Sequence, residues 1–423
     1  MITGLKIPGL KNMSIKNKIG IYNKMKYVYI PLISGGDTNI TVAVKKGDYV
    51  YKGSVIGKRK GNLRIPIHSS VSGTVVDYEE KYVSNGKKVK CIVIENDFLE
   101  AVENEYENND ISKYTKKQFI KTIQECGIVG LGGSGFPTYV KYNTDQKIKT
   151  LIINAVECEP YITADYVLIR EKCDEILETI DAIREINEIE EAIIAIKGHN
   201  TELKKIIDNY IGTYLKLKVV TVPNLYPMGW EKNLVKYIKK EDYEKLPIEK
   251  GIVVSNVSTI YAIYEALKYK KPLTERIVTF TGTNLKRPQN VLVKIGTSAA
   301  EVIKKVGGTN KGNALYVAGG PMMGTSIPTE DIIVNCNDNC ILVLENCEEE
   351  IEQTCLRCGK CVEFCPSKLS PVLIKDNLEN IERLKKLRPE KCIECGLCSY
   401  ICPAKINIRE KVREAKQKLR KEN

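Results

Sequence analysis

The chain has 423 residues, enough for roughly two to four domains with hydrophobic cores. Hydrophobic residues make up 43% and charged residues 28%, with a net charge of +12, which excludes a disordered chain and a membrane-embedded one. Two histidines leave little room for histidine metal sites or a Ser-His-Asp triad, whereas eight of the fifteen cysteines lie within residues 355–402.

The sequence gives no sign of export or of membrane insertion. Its first residues lack the apolar segment of a signal peptide, and no stretch approaches the ~20 apolar residues of a membrane span. The clustered cysteines also differ from those of secreted disulfide domains, which are spread through the chain. We therefore expect a cytoplasmic protein, with peripheral association at the cytoplasmic face of the cell membrane left open.

The first hundred residues predict an all-β unit, because short apolar runs alternate with glycine. The segment 44–57, followed by 67–78, resembles the barrel-sandwich fold of lipoyl and biotinyl carriers, but no acceptor lysine lies between the two. We predict a barrel-sandwich hybrid domain over residues 1–105, with a structural or docking role. Residues 92–112 then carry seven acidic and no basic residues, which is typical of a solvated linker at a domain boundary.

The remaining chain predicts three further units. Apolar β-branched runs alternate with amphipathic helices over residues 113–270, which predicts a mostly parallel α/β domain. Two strands, a helix and a strand follow in a small β-grasp-like module over residues 271–345. A helical cysteine-rich domain with a basic C-terminal helix occupies residues 350–423. The fold class is therefore multidomain α/β and α+β.

Two cysteine runs predict iron–sulfur clusters. Residues 355–366 and 392–403 both read C-x2-C-x2-C-x3-C-P, the run that binds [4Fe–4S] clusters in bacterial ferredoxins, whereas zinc favours separated CxxC pairs. The fourth cysteine of each run ligates the other cluster in two-cluster ferredoxins. We assign one cluster to Cys355, Cys358, Cys361 and Cys402, and the second to Cys392, Cys395, Cys398 and Cys365.

A glycine-rich loop suggests a phosphate site. The loop 130–141 formally contains G-x-G-x-x-G at Gly130, Gly132 and Gly135, but a helix rather than a strand precedes it, which opposes a Rossmann site. Dense glycine lets backbone N–H groups approach a phosphate, and Lys141 adds a positive charge. We interpret the loop as a phosphate-binding site of another type.

Several motifs together give the chain a family resemblance. GLGGSGFPTYVK (130–141), NAVECEPYITAD (154–165), YPMGWEK (226–232), SNVSTIYAIYEAL (255–267), TGTNLKRPQNVLVKIGT (281–297) and GGPMMG (319–324) join the cysteine runs. With these motifs the sequence resembles the RnfC component of the Rnf electron-transport complex. That family is related to the NADH- and FMN-binding subunit of respiratory complex I.

The resemblance implies a flavin and nucleotide site in the α/β domain. It places FMN on a loop and three polar groups: Gly130, Gly132, Gly133, Gly135, Phe136 and Lys141, then Asn154, Asn256 and Thr259. It places an acidic pair, Glu157 and Glu159, beside the isoalloxazine and nicotinamide, with Tyr226, Gly229 and Glu231 over the nucleotide. Without the resemblance, the acidic pair would be interpreted as a surface turn before Pro160.

The implied function is electron transfer between NADH and a low-potential acceptor such as ferredoxin. FMN and two [4Fe–4S] clusters would carry the electrons, and membrane subunits of an ion-translocating complex and a ferredoxin-like carrier would be the partners. One alternative is a soluble NADH-dependent electron donor to an amino-acid reductase, such as proline reductase. Another is a non-catalytic iron–sulfur adaptor whose nucleotide pocket is closed by Trp230, at a position that is normally glycine in the family. Nothing in the sequence supports nucleic-acid binding.

The other cysteines and the C-terminal helix each allow a structural and a functional interpretation. We interpret Cys336 and Cys340 as two small buried residues rather than as a redox dithiol. We interpret Cys158 as a packing residue rather than a reactive one. A basic C-terminal helix carries one apolar stripe, formed by Ile408, Val412, Ala415 and Leu419. We interpret this helix as a solvated helix end, and the alternative is docking on an acidic or anionic surface. Four cysteines are predicted to be structural: Cys91, Cys126, Cys173 and Cys347.

Overall fold

The computed structural model describes residues 3–310, 312–346 and 351–422. The first hundred residues form short strands, as the glycine-punctuated apolar runs predict. These are β1 (Gly20–Tyr22), β2 (Tyr27–Pro31), β3 (Ile40–Val42), β4 (Tyr49–Val50), β5 (Val55–Arg59), β6 (Pro66–His68), β7 (Gly73–Tyr82) and β8 (Lys88–Asn96). Antiparallel sheets β2-β8-β7-β4 and β3-β5-β6 enclose one core that contains Val28, Ile56 and Val75, so the barrel-sandwich prediction is confirmed.

The α/β unit follows the predicted alternation closely. Its elements are α1 (Lys116–Glu125), α2 (Tyr139–Tyr142), β9 (Thr150–Ala155), α3 (Ala164–Ile186), β10 (Glu191–Lys197), α4 (Thr201–Ile211), β11 (Leu217–Val222), α5 (Glu231–Lys239), β12 (Ile252–Asn256) and α6 (Val257–Tyr269). The four strands are all parallel in the order β11-β10-β9-β12. Strands β9 and β10 are almost wholly buried, because helices cover both faces of a parallel sheet.

The third unit is a six-stranded mixed sheet with one helix. It contains β13 (Glu275–Thr281), β14 (Gln289–Lys294), α7 (Ala299–Lys305), β15 (Ala314–Ala318), β16 (Thr325–Ile327) and β17 (Cys340–Glu345). The strand order is β1-β14-β13-β17-β15-β16. The N-terminal strand β1 thus pairs with β14, in parallel, rather than with its sequence neighbours.

The cysteine-rich unit is helical. Its helices are α8 (Lys360–Glu363), α9 (Pro371–Asp376), α10 (Ile381–Leu387), α11 (Leu397–Tyr400) and α12 (Ile408–Glu422). Helices α9 and α10 both lie between the two cysteine runs. The stripe of α12 packs inward, with Ile408, Val412 and Ala415 buried. Within the described ranges, no helix is long and apolar enough to cross a membrane.

Contacts tie the units together. At the start of the acidic segment after β8, the Glu100 carboxylate lies 2.7 Å from Lys52 Nζ and 2.6 Å from Lys294 Nζ. Residues 103–108 of the segment are exposed, as a solvated linker would be. Near the N-terminus, Leu5 exchanges two backbone hydrogen bonds with Tyr226 of the α/β unit. The residue boundaries of the four domains stay predictions.

Candidate functional site

The site is built at the carboxyl edge of the parallel sheet, where ligands of open α/β sheets bind. Strands β9 and β12 are neighbours, and they place Asn154 and Asn256 at their ends in direct register. Strand β10 ends beside them at Lys197. Parallel pairing therefore brings together motifs that lie about a hundred residues apart in the sequence.

The glycine loop lies against this edge. Gly130 N–H donates to the Phe136 carbonyl at 2.8 Å, and Leu131 N–H donates to Thr259 Oγ1 at 2.9 Å. Gly132 is exposed, and a Cβ added there would lie 3.1 Å from Asn256 Cβ. Gly133 has a φ of +107°, which side chains avoid. The loop thus leaves a stretch of bare backbone facing outward beside Asn256.

Lys141 is partly buried in α2, at the end of the glycine loop. Its Nζ donates to the Val254 carbonyl at 2.7 Å, which is the hydrogen bond found for it among the described residues. Burial lowers the pKa of Lys141, and the nearby Glu231 carboxylate opposes that shift. The structure therefore places this charge against β12 and near Glu231 at the start of α5.

The predicted polar groups hold the protein's own loops. Asn154 Nδ2 donates to the Gly229 carbonyl at 2.8 Å, which attaches β9 to the segment before α5. Asn256 Nδ2 donates to Asp165 Oδ2 at 2.6 Å, and Ser258 Oγ donates to the other oxygen of that carboxylate at 2.7 Å. These groups fix the walls of the site, and their contact with FMN stays a prediction.

The acidic pair does not form a surface turn. The Glu157 side chain is 7% exposed, accepts the Asp165 N–H at 2.9 Å and lies 3.2 Å from Lys11 Nζ. Burial raises the pKa of Glu157 to about 7, although Lys11 opposes the shift. Its φ of +41° is unusual for a residue with a side chain and marks local strain.

Glu159 connects two units of the protein. Burial raises the pKa of Glu159 to about 6, and its Oε2 accepts the Met322 N–H at 3.1 Å. A Cβ added at Gly320 would lie 2.2 Å from the same oxygen, so a larger residue there would displace the Glu159 carboxylate. Its Oε1 lies 3.3 Å from the Tyr226 hydroxyl, which donates to the Cys395 carbonyl at 2.7 Å. Glu159 therefore contacts the backbone of a predicted cluster ligand through a single tyrosine.

The cysteine-rich unit contains a cavity that four predicted ligands share. Cys365, Cys392, Cys395 and Cys398 all line it, although Cys365 belongs to the first run. Among the described residues, no set of three or more His, Cys, Asp or Glu is arranged to hold a single metal ion. Ligands of a four-iron cluster surround a larger body, so thiols around a cavity suit it. In the first run, Cys358 is exposed while Cys361 is buried.

The sequence missed several residues of the site. Lys11 arrives from the N-terminal segment, and Lys197 lies buried at the end of β10. Burial and Lys11 lower the pKa of Lys197 to about 8. Single lysines carry no motif, so nothing in the sequence identified them. Asp165 and Gly320 lie inside the family motifs, where the sequence alone assigned them no role.

The remaining cysteines occupy separate surroundings. Cys336 packs partly buried near Arg276, which donates to its carbonyl, whereas Cys340 lies in β17 against Tyr161 and Ile162. Burial raises the pKa of Cys336 to about 12 and that of Cys340 further, which disfavours reactive thiolates. Cys91, Cys126 and Cys173 are buried. Cys347 lies outside the described residues.

Family models match four consecutive parts of the chain. Residues 1–99 match the RnfC barrel sandwich hybrid domain, and 123–265 match the Nuo51 FMN-binding domain. Residues 277–326 match the SLBB domain, and 354–406 match the 4Fe-4S dicluster domain. The predicted FMN and two-cluster modules are confirmed at the level of domains.

Curated relatives match most of the chain. The RnfC-type subunit of a Na(+)-translocating ferredoxin:NAD(+) oxidoreductase complex from Acetobacterium woodii is 33% identical, over 88% of this chain and 85% of the relative. Its counterpart in a proton-translocating complex from Clostridium ljungdahlii is 34% identical, over 82% and 77%. The corresponding subunit of an ion-translocating oxidoreductase complex from Haemophilus influenzae is 35% identical over 81% of this chain, which spans about half (54%) of that relative.

Solved structures share the fold. The chain matches an NAD+-reducing [NiFe]-hydrogenase in its H2-reduced state with a TM-score of 0.51 at 15% identity, covering 74% of this chain and 61% of the other. The air-oxidized state gives a TM-score of 0.52 at 14% identity, covering 72% and 66%. The domain matches and the identity to the curated relatives lead to one conclusion: the chain belongs to the RnfC family.

Proposed function

We propose that the chain transfers electrons between NADH and a low-potential acceptor such as ferredoxin, as the peripheral RnfC component of an Rnf-type complex. Its FMN-binding and dicluster domains and the names of its relatives support this assignment. The observation that carries the proposal is the contact from Glu159 through Tyr226 to Cys395. Through Tyr226, this contact connects the predicted nucleotide site with the backbone of a predicted cluster ligand.

The residues at the glycine loop fit a flavin phosphate. Gly132 and Gly133 are exposed, and a Cβ on Gly132 would close the space beside Asn256. The partly buried Lys141 ammonium donates its hydrogen bond to a neutral carbonyl, so a phosphate nearby would supply a countercharge. The candidate ligands of FMN are Gly130, Gly132, Gly133, Gly135, Phe136, Lys141, Asn154, Asn256 and Thr259.

The chain's own groups would orient the nucleotide. When bound, FMN and the clusters supply the conversion between a two-electron hydride and single electrons. Glu157 and Glu159 would hydrogen-bond the nicotinamide amide and hold the ring in a reactive orientation. Tyr226, Gly229 and Glu231 would form the wall over the nucleotide, with Asn154 fixing Gly229.

The proposed partners are the membrane subunits of the complex and a ferredoxin-like carrier, at the cytoplasmic face of the cell membrane. Cys336 does not support the soluble-reductase alternative, because Cys336 and Cys340 pack in different hydrophobic clusters and do not form a dithiol pair. The adaptor alternative requires Trp230 to close the pocket. Trp230 is the N-cap residue of α5, its side chain makes no capping hydrogen bond, and it is 37% exposed. Bound flavin in the purified protein would contradict the adaptor alternative.

The test is stopped-flow flavin reduction by NADH in two variants with measured flavin content. Glu159→Gln should keep its flavin but bleach about 10- to 150-fold more slowly, because an orienting charge-assisted hydrogen bond is worth roughly 1.5–3 kcal/mol. Lys141→Ala should lose flavin affinity by a similar factor, whereas the exposed Lys147→Ala should not. Wild-type bleaching by Glu159→Gln would remove the acidic pair from the nucleotide site.

A further inference from the structure

The C-terminal helix α12 forms part of the wall around the cavity shared by Cys365, Cys392, Cys395 and Cys398. Arg409 and Val412 of α12 line that cavity directly. The apolar stripe of the helix is buried in the cysteine-rich unit. The polar residues beside this stripe are therefore held against the cysteine loop.

The basic residues of α12 contact the loop that carries Cys392 and Cys395. Lys416 Nζ donates to the Cys392 carbonyl at 3.1 Å and also pairs with Glu394. Arg413 Nε lies 3.0 Å from Glu394 Oε2. The Lys416 side chain is only 14% exposed, so solvent screens its charge weakly. The helix is neither a solvated end nor a free docking face along this side.

The charges on this side do not cancel. Arg409, Arg413 and Lys416 face two carboxylates, Glu394 and Glu410, which leaves one net positive charge beside the cavity. The first cysteine run has a different environment. There Cys358 is exposed, and the neighbouring Arg357 pairs with Asp376. The two predicted clusters would therefore lie in unequal fields.

We propose that Lys416 raises the reduction potential of the cluster held by Cys365, Cys392, Cys395 and Cys398, which favours this cluster as the first electron acceptor. Its ligand Cys395 contacts Tyr226 beside the proposed flavin site. This inference rests on the proposed function for its electron donor, the reduced flavin. In that step the reduced flavin would give up one electron and the cluster would take it up, gaining one negative charge, with no bond made or broken and no proton taken up by the cluster. A fixed positive charge nearby favours that reduced state.

The test is a redox titration of the purified holoprotein, monitored by electron paramagnetic resonance, in matched variants. Lys416→Met should shift the reduced-to-oxidised ratio of one cluster about tenfold at a given potential, which is about 59 mV downward for one electron. The other cluster should not move. Lys418→Met loses the same charge from the same helix, but its partners are Glu379 and Glu414, so neither cluster should shift. Lys416→Arg should restore most of the parental value.

Two results would overturn the proposal. One is unchanged potentials in Lys416→Met with full iron content. The other is loss of about four irons from that variant, which would mean that Lys416 holds the cysteine loop in place and does not tune the potential. The titration uses a chemical reductant and mediators, so it does not depend on NADH oxidation. A protein that failed to oxidise NADH would contradict the proposed function while leaving this measurement intact.

Discussion

At the residue scale, the site depends on carboxylates that the fold holds away from water. Glu157 has one ammonium partner, Lys11, yet burial outweighs that attraction and raises its pKa to about 7. In the unfolded chain, a glutamate titrates near 4.5. The folded protein therefore binds more protons than the unfolded chain between these two values.

This difference predicts a pH dependence of stability. The contribution of Glu157 is fully present below pH 4.5 and is lost as pH rises through about 7, by at most about 3 kcal/mol. Glu157→Gln should reduce the fall in thermal midpoint between pH 4.5 and 7.5. Glu125→Gln, an exposed carboxylate on α1, is the control and should keep the parental dependence. If Glu157→Gln kept the parental pH dependence of the thermal midpoint, that dependence would come from groups other than Glu157.

The sequence identified these carboxylates but not their surroundings. Glu157 and Glu159 belong to a contiguous motif, so a resemblance could point to them. Their burial comes from Lys11, Gly320 and Met322, which reach them from other units of the chain. Local patterns carry no information on such long-range contacts, so the sequence favoured a surface turn.

At the element scale, the parallel strands were the easiest to predict. The apolar β-branched runs at 150–155 and 217–222, each between helical segments, predict strands with the bounds that β9 and β11 have. Short edge strands were missed, including β1, β4 and β16. The segment 63–67 also predicts a strand, whereas β6 spans Pro66–His68. Two or three residues are too few to show a period.

The contact between the α/β unit and the cysteine loop gives a prediction at this scale. Tyr226 lies 169 residues from Cys395, and its hydroxyl satisfies a buried carbonyl there. Tyr226→Phe removes that bond, which costs about 1–3 kcal/mol. Amide hydrogen exchange in residues 393–397 should then rise about 5- to 150-fold.

The control for this experiment is Tyr243→Phe. The Tyr243 hydroxyl lies 3.1 Å from Glu231 and contacts no part of the cysteine-rich unit among its described hydrogen bonds. Exchange in residues 393–397 should match the parent in that variant. Equal protection in Tyr226→Phe would mean that the loop is held by its neighbours alone.

At the scale of the whole molecule, the two predicted clusters have different positions. The cavity with Cys365, Cys392, Cys395 and Cys398 lies next to Tyr226 and Met322. The first run instead exposes Cys358 and Leu356 to solvent. We call the cluster of Cys365, Cys392, Cys395 and Cys398 the inner cluster, and that of Cys355, Cys358, Cys361 and Cys402 the outer cluster. An electron from the flavin site would therefore reach the inner cluster first and leave through the outer cluster.

This arrangement predicts unequal effects of the two crossing ligands. Cys365 follows the first run, but it lines the inner cavity with the second. Cys365→Ala should damage the inner cluster and stop cluster reduction by NADH-reduced flavin. Cys402→Ala should damage the outer cluster and leave the first electron transfer intact. Each variant should lose about four of eight irons, because each cluster holds four. Iron analysis with rapid-mixing spectra of cluster bleaching checks both statements. If Cys402→Ala blocked the first transfer and Cys365→Ala did not, the order of the clusters would be reversed, and the Tyr226 contact would not mark the entry point.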